Sequence, residues 1–202
     1  MNSLVEPIAS LLAAARRRLG GQIDGQPGLA GASSLDADLL LAHVLGVSRA
    51  WLFANREQAV PAAAGDEFLG LVERRAAGEP VAYLIGRREF WSLPLIVTPD
   101  VLIPRPETEL LVQAALDFIP PDAAWRVADL GTGSGAVALA IASERPRCAV
   151  HATERSPSAL QVAALNVEAL APGRVTLHLG CWLEPLSSQS QEMAMEKLEI
   201  FT

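Results

Sequence analysis

Cysteine is scarce in this chain. Cys148 and Cys181 are its only two among 202 residues, far apart and without Cys-x-x-Cys spacing. That argues against a disulfide scaffold and for reduced thiols in a cytoplasmic protein. No apolar run approaches the 18 or so residues of a membrane span, so no membrane association is expected. The opening stretch "MNSLVEPIASLLAAARRRLG" puts its arginines after the apolar residues and carries Glu6. A signal peptide has the opposite order and a transit peptide avoids acids, so an ordinary amphipathic helix is expected there. A basic surplus is missing too. The 16 Lys and Arg face 23 Asp and Glu, for a net charge of -7, which argues against binding bare nucleic-acid backbone. Metal-ligand spacing is also lacking: His43, His151 and His178 fall on separate elements and read as satisfied or surface histidines.

What is present divides into two patterns. Residues 1–84 read as helices joined by polar or glycine-rich loops: a small helical bundle. Val5 to Leu19 has helical spacing with Pro7 in its first turn, where a missing N–H costs little. The Gly-, Pro- and Ser-rich loop "GGQIDGQPGLAGASS" follows, then "LDADLLLAHVLG", with Ser33 and Ser34 as candidate N-caps and Gly46 as its stop. Ser48 is a candidate cap for "RAWLFA", and Pro61 opens a helix closed by Gly78. Residues 85–104 carry aromatic and β-branched residues with Ser-Leu-Pro and Thr-Pro-Asp turns, which predicts a β-hairpin connecting two domains. From 105 to 186 strand and helix patterns alternate: "WRVADLG", "GAVALAIASERP", "CAVHATE", "SPSALQVAALNVEAL" capped by Ser156, and "RVTLHLG". That alternation predicts parallel β-α-β units, an α/β fold. Residues 187–202 differ in composition. The chain's one lysine, Lys197, and its only methionines after Met1, Met193 and Met195, fall there. The abrupt shift is read as foreign sequence, from a frameshift or a recombined end.

The turn Gly131-Thr132-Gly133-Ser134-Gly135 follows the strand "VADL" and opens a helix. Its glycines permit a sharp turn and close ligand approach, and the helix beyond offers free N–H groups. By itself the turn suits either a dinucleotide or another nucleoside, since Gly131, Gly133 and Ala136 loosely satisfy G-x-G-x-x-G/A. Two acids bear on the choice. Asp129, just before the turn, can meet a ligand's ammonium group or cap the turn's own N–H groups. Glu154, ending the next strand, can accept hydrogen bonds from ribose hydroxyls or stand solvated. Together they suit S-adenosyl-L-methionine, a zwitterionic amino acid joined to a nucleoside.

With "LDADLLLAHVLGVSRAWLFA", "GEPVAYLIGRREFWSLPLIVTPDVLIPRPETELLV", "VADLGTGSGAVALAIASERP", "ATERSPSAL" and "WLEPL" in hand, the chain resembles the HemK/PrmC family of release-factor glutamine methyltransferases from about residue 34 to 186. The resemblance implies a helical domain that recognises a peptide chain release factor, then a Rossmann-like class I methyltransferase domain. The implied reaction moves a methyl group from S-adenosyl-L-methionine to the glutamine side-chain nitrogen of a Gly-Gly-Gln loop. It implies that Gly131, Thr132, Gly133, Ser134 and Gly135 cradle the cofactor, that Glu154 holds the ribose, that Trp182 packs beside the adenine, and that Arg105 shapes the substrate entrance.

Two departures stand out. The family carries an acid before the tryptophan, where this chain has Cys181, a poor acceptor. The Asn-Pro-Pro-Tyr motif that holds the amide nitrogen in the family occurs nowhere in this chain, so no catalytic residue is assigned. The fourth strand, which pairs beside the first in this fold, is also missing from the pattern. "WRVADLG" is therefore expected to be an apolar edge, partly covered by Met193, Leu198, Ile200 and Phe201. The expected protein is an incomplete methyltransferase with impaired transfer, or a non-catalytic relative that at most binds a release factor. A base-directed methyltransferase and a nicotinamide-dependent dehydrogenase fit less well, the latter because of Asp129.

Overall fold

The computed structural model describes residues 6–20, 29–187 and 198–201. The chain forms two compact units, Met1–Ile85 and Gly86–Thr202.

The first unit is helical: α1 (Ile8–Gly20), α2 (Leu29–Leu45), α3 (Arg49–Ala54), α4 (Ala62–Ala76) and α5 (Val81–Ile85). Its core gathers Ile8, Leu11, Leu12, Leu40, Leu41 and Phe68, the apolar stripes of α1, α2 and α4. Pro7 sits just outside α1 and its carbonyl accepts from the Ser10 and Leu11 N–H groups. Ser48 caps α3, its hydroxyl accepting from the Trp51 N–H at 3.1 Å. Gly46 leaves α2 at φ +64, and the Val47 N–H bonds back to the Ala42 carbonyl. One cap expectation is corrected. α2 begins at Leu29, so Ser33 and Ser34 lie inside it rather than at its start; leucine and alanine in "LAGASSLDADLLL" favour helix strongly enough to carry the turn past the serines. Residues 21–28 of the expected loop lie outside the described residues.

The second unit begins with a hairpin, β1 (Arg87–Phe90) and β2 (Leu93–Ile96). Its two turn residues are Trp91 and Ser92, at φ +51 and +59, so Leu93 and Pro94 belong to β2 and not to the turn. Neither is glycine or asparagine, the usual choices for such a turn. The turn is held instead by glutamates: the Trp91 N–H donates to Glu109 at 3.0 Å and its indole N–H to Glu144 at 2.9 Å. Phe90 and Leu95 enter the core of this unit.

There follow α6 (Thr108–Phe118), β3 (Arg126–Leu130), α7 (Ala136–Glu144), β4 (Ala149–Glu154), α8 (Pro157–Leu170), β5 (Val175–Leu179), the short α9 (Glu184–Ser187) and β6 (Leu198–Phe201). The four strands form a parallel sheet in the order β5-β4-β3-β6. Val127, Val150, Ala152 and Val175 join the apolar residues of α6 and α7 in one core. On the other face, Ala128 and Leu130 are covered by Leu186, with Leu183 alongside. The strand expected to be missing beside β3 is present, and the partial cover expected of residues 198–201 is a paired strand: β6 runs parallel to β3, Arg126 opposite Leu198 through Asp129 opposite Phe201. The segment that differs in composition thus contributes a strand. Met193 and Lys197 lie outside the described residues.

Candidate functional site

The glycine turn is fastened from three sides. The Gly131 and Thr132 N–H groups both donate to the Thr153 carbonyl, at 2.9 and 3.0 Å, which ties the turn to the end of β4. Gly131, Gly133 and Gly135 have φ of +83, +55 and +84, a conformation that a Cβ penalises. A Cβ at Gly131 or Gly133 would meet no atom within 4 Å, so at both positions it would stand in open space.

Glu154 spans the gap. Its Oε2 accepts from the Gly133 N–H and its Oε1 from the Ser156 N–H, both at 3.0 Å. Each carboxylate oxygen keeps a further lone pair. Asp129 is buried, and its Oδ2 accepts from the Thr132 hydroxyl at 2.6 Å and from the Ala138 N–H in α7 at 3.2 Å. Burial pushes its carboxyl up to about 6, against the two hydrogen bonds, with the nearby Glu154 charge adding to the rise. Of the two roles open to Asp129 in the sequence, the capping one takes a different form: it holds the turn through the Thr132 hydroxyl and caps an N–H of α7, not an N–H of the turn. The same residue also lines a cleft, which leaves the ammonium role available.

Two clefts meet at Leu130 and Gly131. The larger, about 310 Å³, is walled by Glu154, Arg155, Gly180, Cys181 and Trp182, and falls within the range of small-molecule sites. The smaller, about 190 Å³, lies between the turn and the segment before α6: Leu102, Pro104, Arg105 and Thr108 on one side, Asp129, Thr132, Gly133 and Ser134 on the other. Trp182 is 68% exposed and sits at φ +49, unusual for a bulky residue. Before it, Gly180 has φ +154, and a Cβ there would overlap the Pro185 ring. Gly135 lines neither cleft; it leads into α7 and packs beside Leu139 and Ala163. His151 and His178 are side by side across β4 and β5 and line neither cleft.

Asn166 was not anticipated. It is 1% exposed in α8, and its amide group accepts from the Ile96 N–H at 2.7 Å while donating to the Ile96 and Ser134 carbonyls at 2.9 and 2.8 Å. One side chain thus joins the hairpin, α8 and the glycine turn. Its trace in the sequence was a lone amide on the apolar stripe of "AALNVEAL".

Known proteins resemble the chain along most of its length. Residues 10–86 match the family described as PrmC N-terminal domain, and residues 106–190 the family described as methyltransferase small domain. A release factor glutamine methyltransferase of Xylella fastidiosa is 49% identical over 89% of this chain and 60% of its own length. One from Burkholderia pseudomallei is 57% identical over 68% of this chain and 48% of its own. The chain thus carries a PrmC N-terminal domain followed by a methyltransferase small domain. The Escherichia coli relative, 44% identical, is covered over 57% of its length; the chain spans roughly half to three fifths of these relatives. A solved protein-L-isoaspartate O-methyltransferase overlaps 61% of this chain and 37% of its own at a TM-score of 0.39 and 16% identity, too distant a likeness to bear on function.

The methyltransferase domain brings S-adenosyl-L-methionine as methyl donor. The residues of the two clefts fit such a molecule: a strand-end carboxylate with lone pairs to spare, a buried acid before the turn, glycines whose Cβ positions stand open, and an exposed indole across the larger cleft. Cys181 supplies no strong acceptor at the tryptophan end. No described helix is long and apolar enough to cross a membrane.

Proposed function

We propose that the second unit binds S-adenosyl-L-methionine across the two joined clefts, and that the chain is a cytoplasmic protein of the release-factor glutamine methylation system. In this reading Glu154 holds the ribose hydroxyls, Trp182 flanks the adenine, and Gly131, Thr132, Gly133 and Ser134 form the floor. Gly135 acts indirectly, by setting the start of α7. Asp129 faces the amino-acid end. The bound sulfonium supplies an electrophilic methyl group. The protein's task is then to hold a glutamine side-chain nitrogen of a Gly-Gly-Gln loop in line beside Arg105 and Thr108. The carrying observation is that Glu154, already clamped to the Gly133 N–H, stands in the wall of a 310 Å³ cleft that also includes Trp182.

Transfer by this chain is read as impaired. An amide nitrogen is a weak nucleophile, and positioning can supply roughly 7–11 kcal/mol of such a barrier. Family members use Asn-Pro-Pro-Tyr for that positioning. Here the strand beside β3 is Leu198-Glu199-Ile200-Phe201, with no amide side chain. That same observation favours the second reading, a protein that binds cofactor and release factor without turnover.

Two measurements separate these readings. Calorimetry with S-adenosyl-L-methionine is expected to give one site per chain, weakened at least tenfold in Glu154→Ala, since hydrogen bonds to a charged group are worth about 1.5–3 kcal/mol. Absence of heat, or an unchanged affinity in that variant, would end the proposal. Labelled-methyl transfer to a Gly-Gly-Gln release factor is expected at least a thousandfold below that of a full-length relative; equal rates would overturn the impairment.

A further inference from the structure

Two histidines outside the clefts form a pair that the methylation reading does not use. The Nδ1 of His151 on β4 and the Nε2 of His178 on β5 are 3.2 Å apart, with ring centroids 5.4 Å apart. Parallel register fixes the arrangement. Thr153 lies opposite His178 and two residues beyond His151, so all three share one face of the sheet. The Thr153 hydroxyl is fully buried and has no hydrogen-bond partner among the described residues. Both rings are only partly buried. A neutral imidazole holds one ring lone pair that a cation can use.

We propose that His151 and His178 form a two-nitrogen site for a zinc-class divalent cation, completed by water. Two nitrogens each about 2.0–2.1 Å from a tetrahedral zinc ion lie about 3.3 Å from one another, close to the separation already present. In the metal-free pair one ring donates its N–H to the other. With the cation bound, each neutral ring carries its single proton on the outward nitrogen, the Nε2 of His151 and the Nδ1 of His178, and both inner lone pairs point to the metal. No net proton is released. The two strands pre-set the spacing, so little ordering remains to be done on binding. The Arg126 charge, which acts on His151, opposes the site and limits its strength. This inference is independent of the methylation reading.

The test uses the full chain. Zn²⁺ calorimetry at pH 7.5 is expected to show one site per chain, at least tenfold weaker in His151→Ala and in His178→Ala and unchanged in Cys181→Ser, which removes the exposed thiol. In the unaltered protein, Zn²⁺ should protect His151 and His178 from diethyl pyrocarbonate while leaving the exposed His43 reactive, a readout that does not depend on any variant folding. Zinc binding that survives either alanine substitution, disappears with the thiol, or leaves both histidines as reactive as His43 would overturn the proposal.

Discussion

The two units use their charges differently. In the helical unit, side chain meets side chain: Arg16 and Arg49 both pair with Asp38, Arg75 with Asp36, Arg18 with Glu73, and Arg74 with Glu79. In the α/β unit, charged and polar side chains turn to the backbone. Arg145 donates to the carbonyls of Leu116 and Ile119, and Arg174 to those of Ala142 and Pro146. Glu154 and Asp129 accept from backbone N–H groups, and Asn166 bonds three main-chain atoms. The reason lies in the elements. A helix satisfies its own main chain except at its ends, leaving its charges to one another. A parallel sheet with turns at strand ends leaves main-chain groups that side chains must satisfy. The first arrangement decorates a surface, whereas the second holds a cleft in shape.

That contrast can be broken by substitution. The largest effect is expected for Asn166→Ala, which strands the Ile96 N–H and two carbonyls inside the second unit. A loss of about 3 kcal/mol in urea unfolding is expected, together with weakened cofactor binding as the turn loosens; a loss similar to that of a surface substitution would refute the clamp.

Next comes pH. The Asp129 carboxyl sits near 6 in the folded chain against an ordinary 3.8, so the folded state holds this proton more tightly than the unfolded one. Its contribution is full below pH 3.8 and is lost as pH rises through 6, on the order of 3 kcal/mol. Asp129→Asn should flatten that decline in urea midpoints measured from pH 4 to 7, and an unchanged slope counts against the assignment. The histidine pair acts oppositely. Burial lowers both rings, so their contribution is present above pH 6.5 and is lost on acidification.

Gly135→Ala should cost about 1–2 kcal/mol, the price of a left-handed backbone at a residue with a Cβ. The added methyl itself meets Leu139 and Ala163 at ordinary contact distance. A neutral result in thermal unfolding would mean that the turn relaxes. The smallest effect is expected for Glu73→Gln. Its partner Arg18 holds its carboxyl below the usual range, yet both groups are open to solvent, and such pairs contribute little. No shift in melting temperature is expected; a shift matching that of Asn166→Ala would erase the distinction between the units.

Much of this was visible in the chain itself. The alternation of β3, α7, β4, α8 and β5 follows from short-range periodicity, and the Ser48 and Ser156 caps from side chains that reach N–H groups three residues on. The start of α2 was not, because helix propensity beyond a candidate cap can outweigh it. The hairpin turn was also misplaced: Trp91 and Ser92 take positive φ, with Glu109 holding the Trp91 backbone N–H and Glu144 its indole N–H from far along the chain.

Sequence alone determined which segments become strands and helices and where the glycine turn falls, because those depend on neighbours a few residues away. It also carried the family resemblance, through motifs spread over both units. Tertiary structure alone decided that Asn166 reaches the turn, that Asp129 caps α7 while lining a cleft, that His151 meets His178, and that residues 198–201 pair with β3 as a parallel strand. Each of these depends on the register between elements distant in the chain, and a shift of one residue sends a strand's side chains to the opposite face.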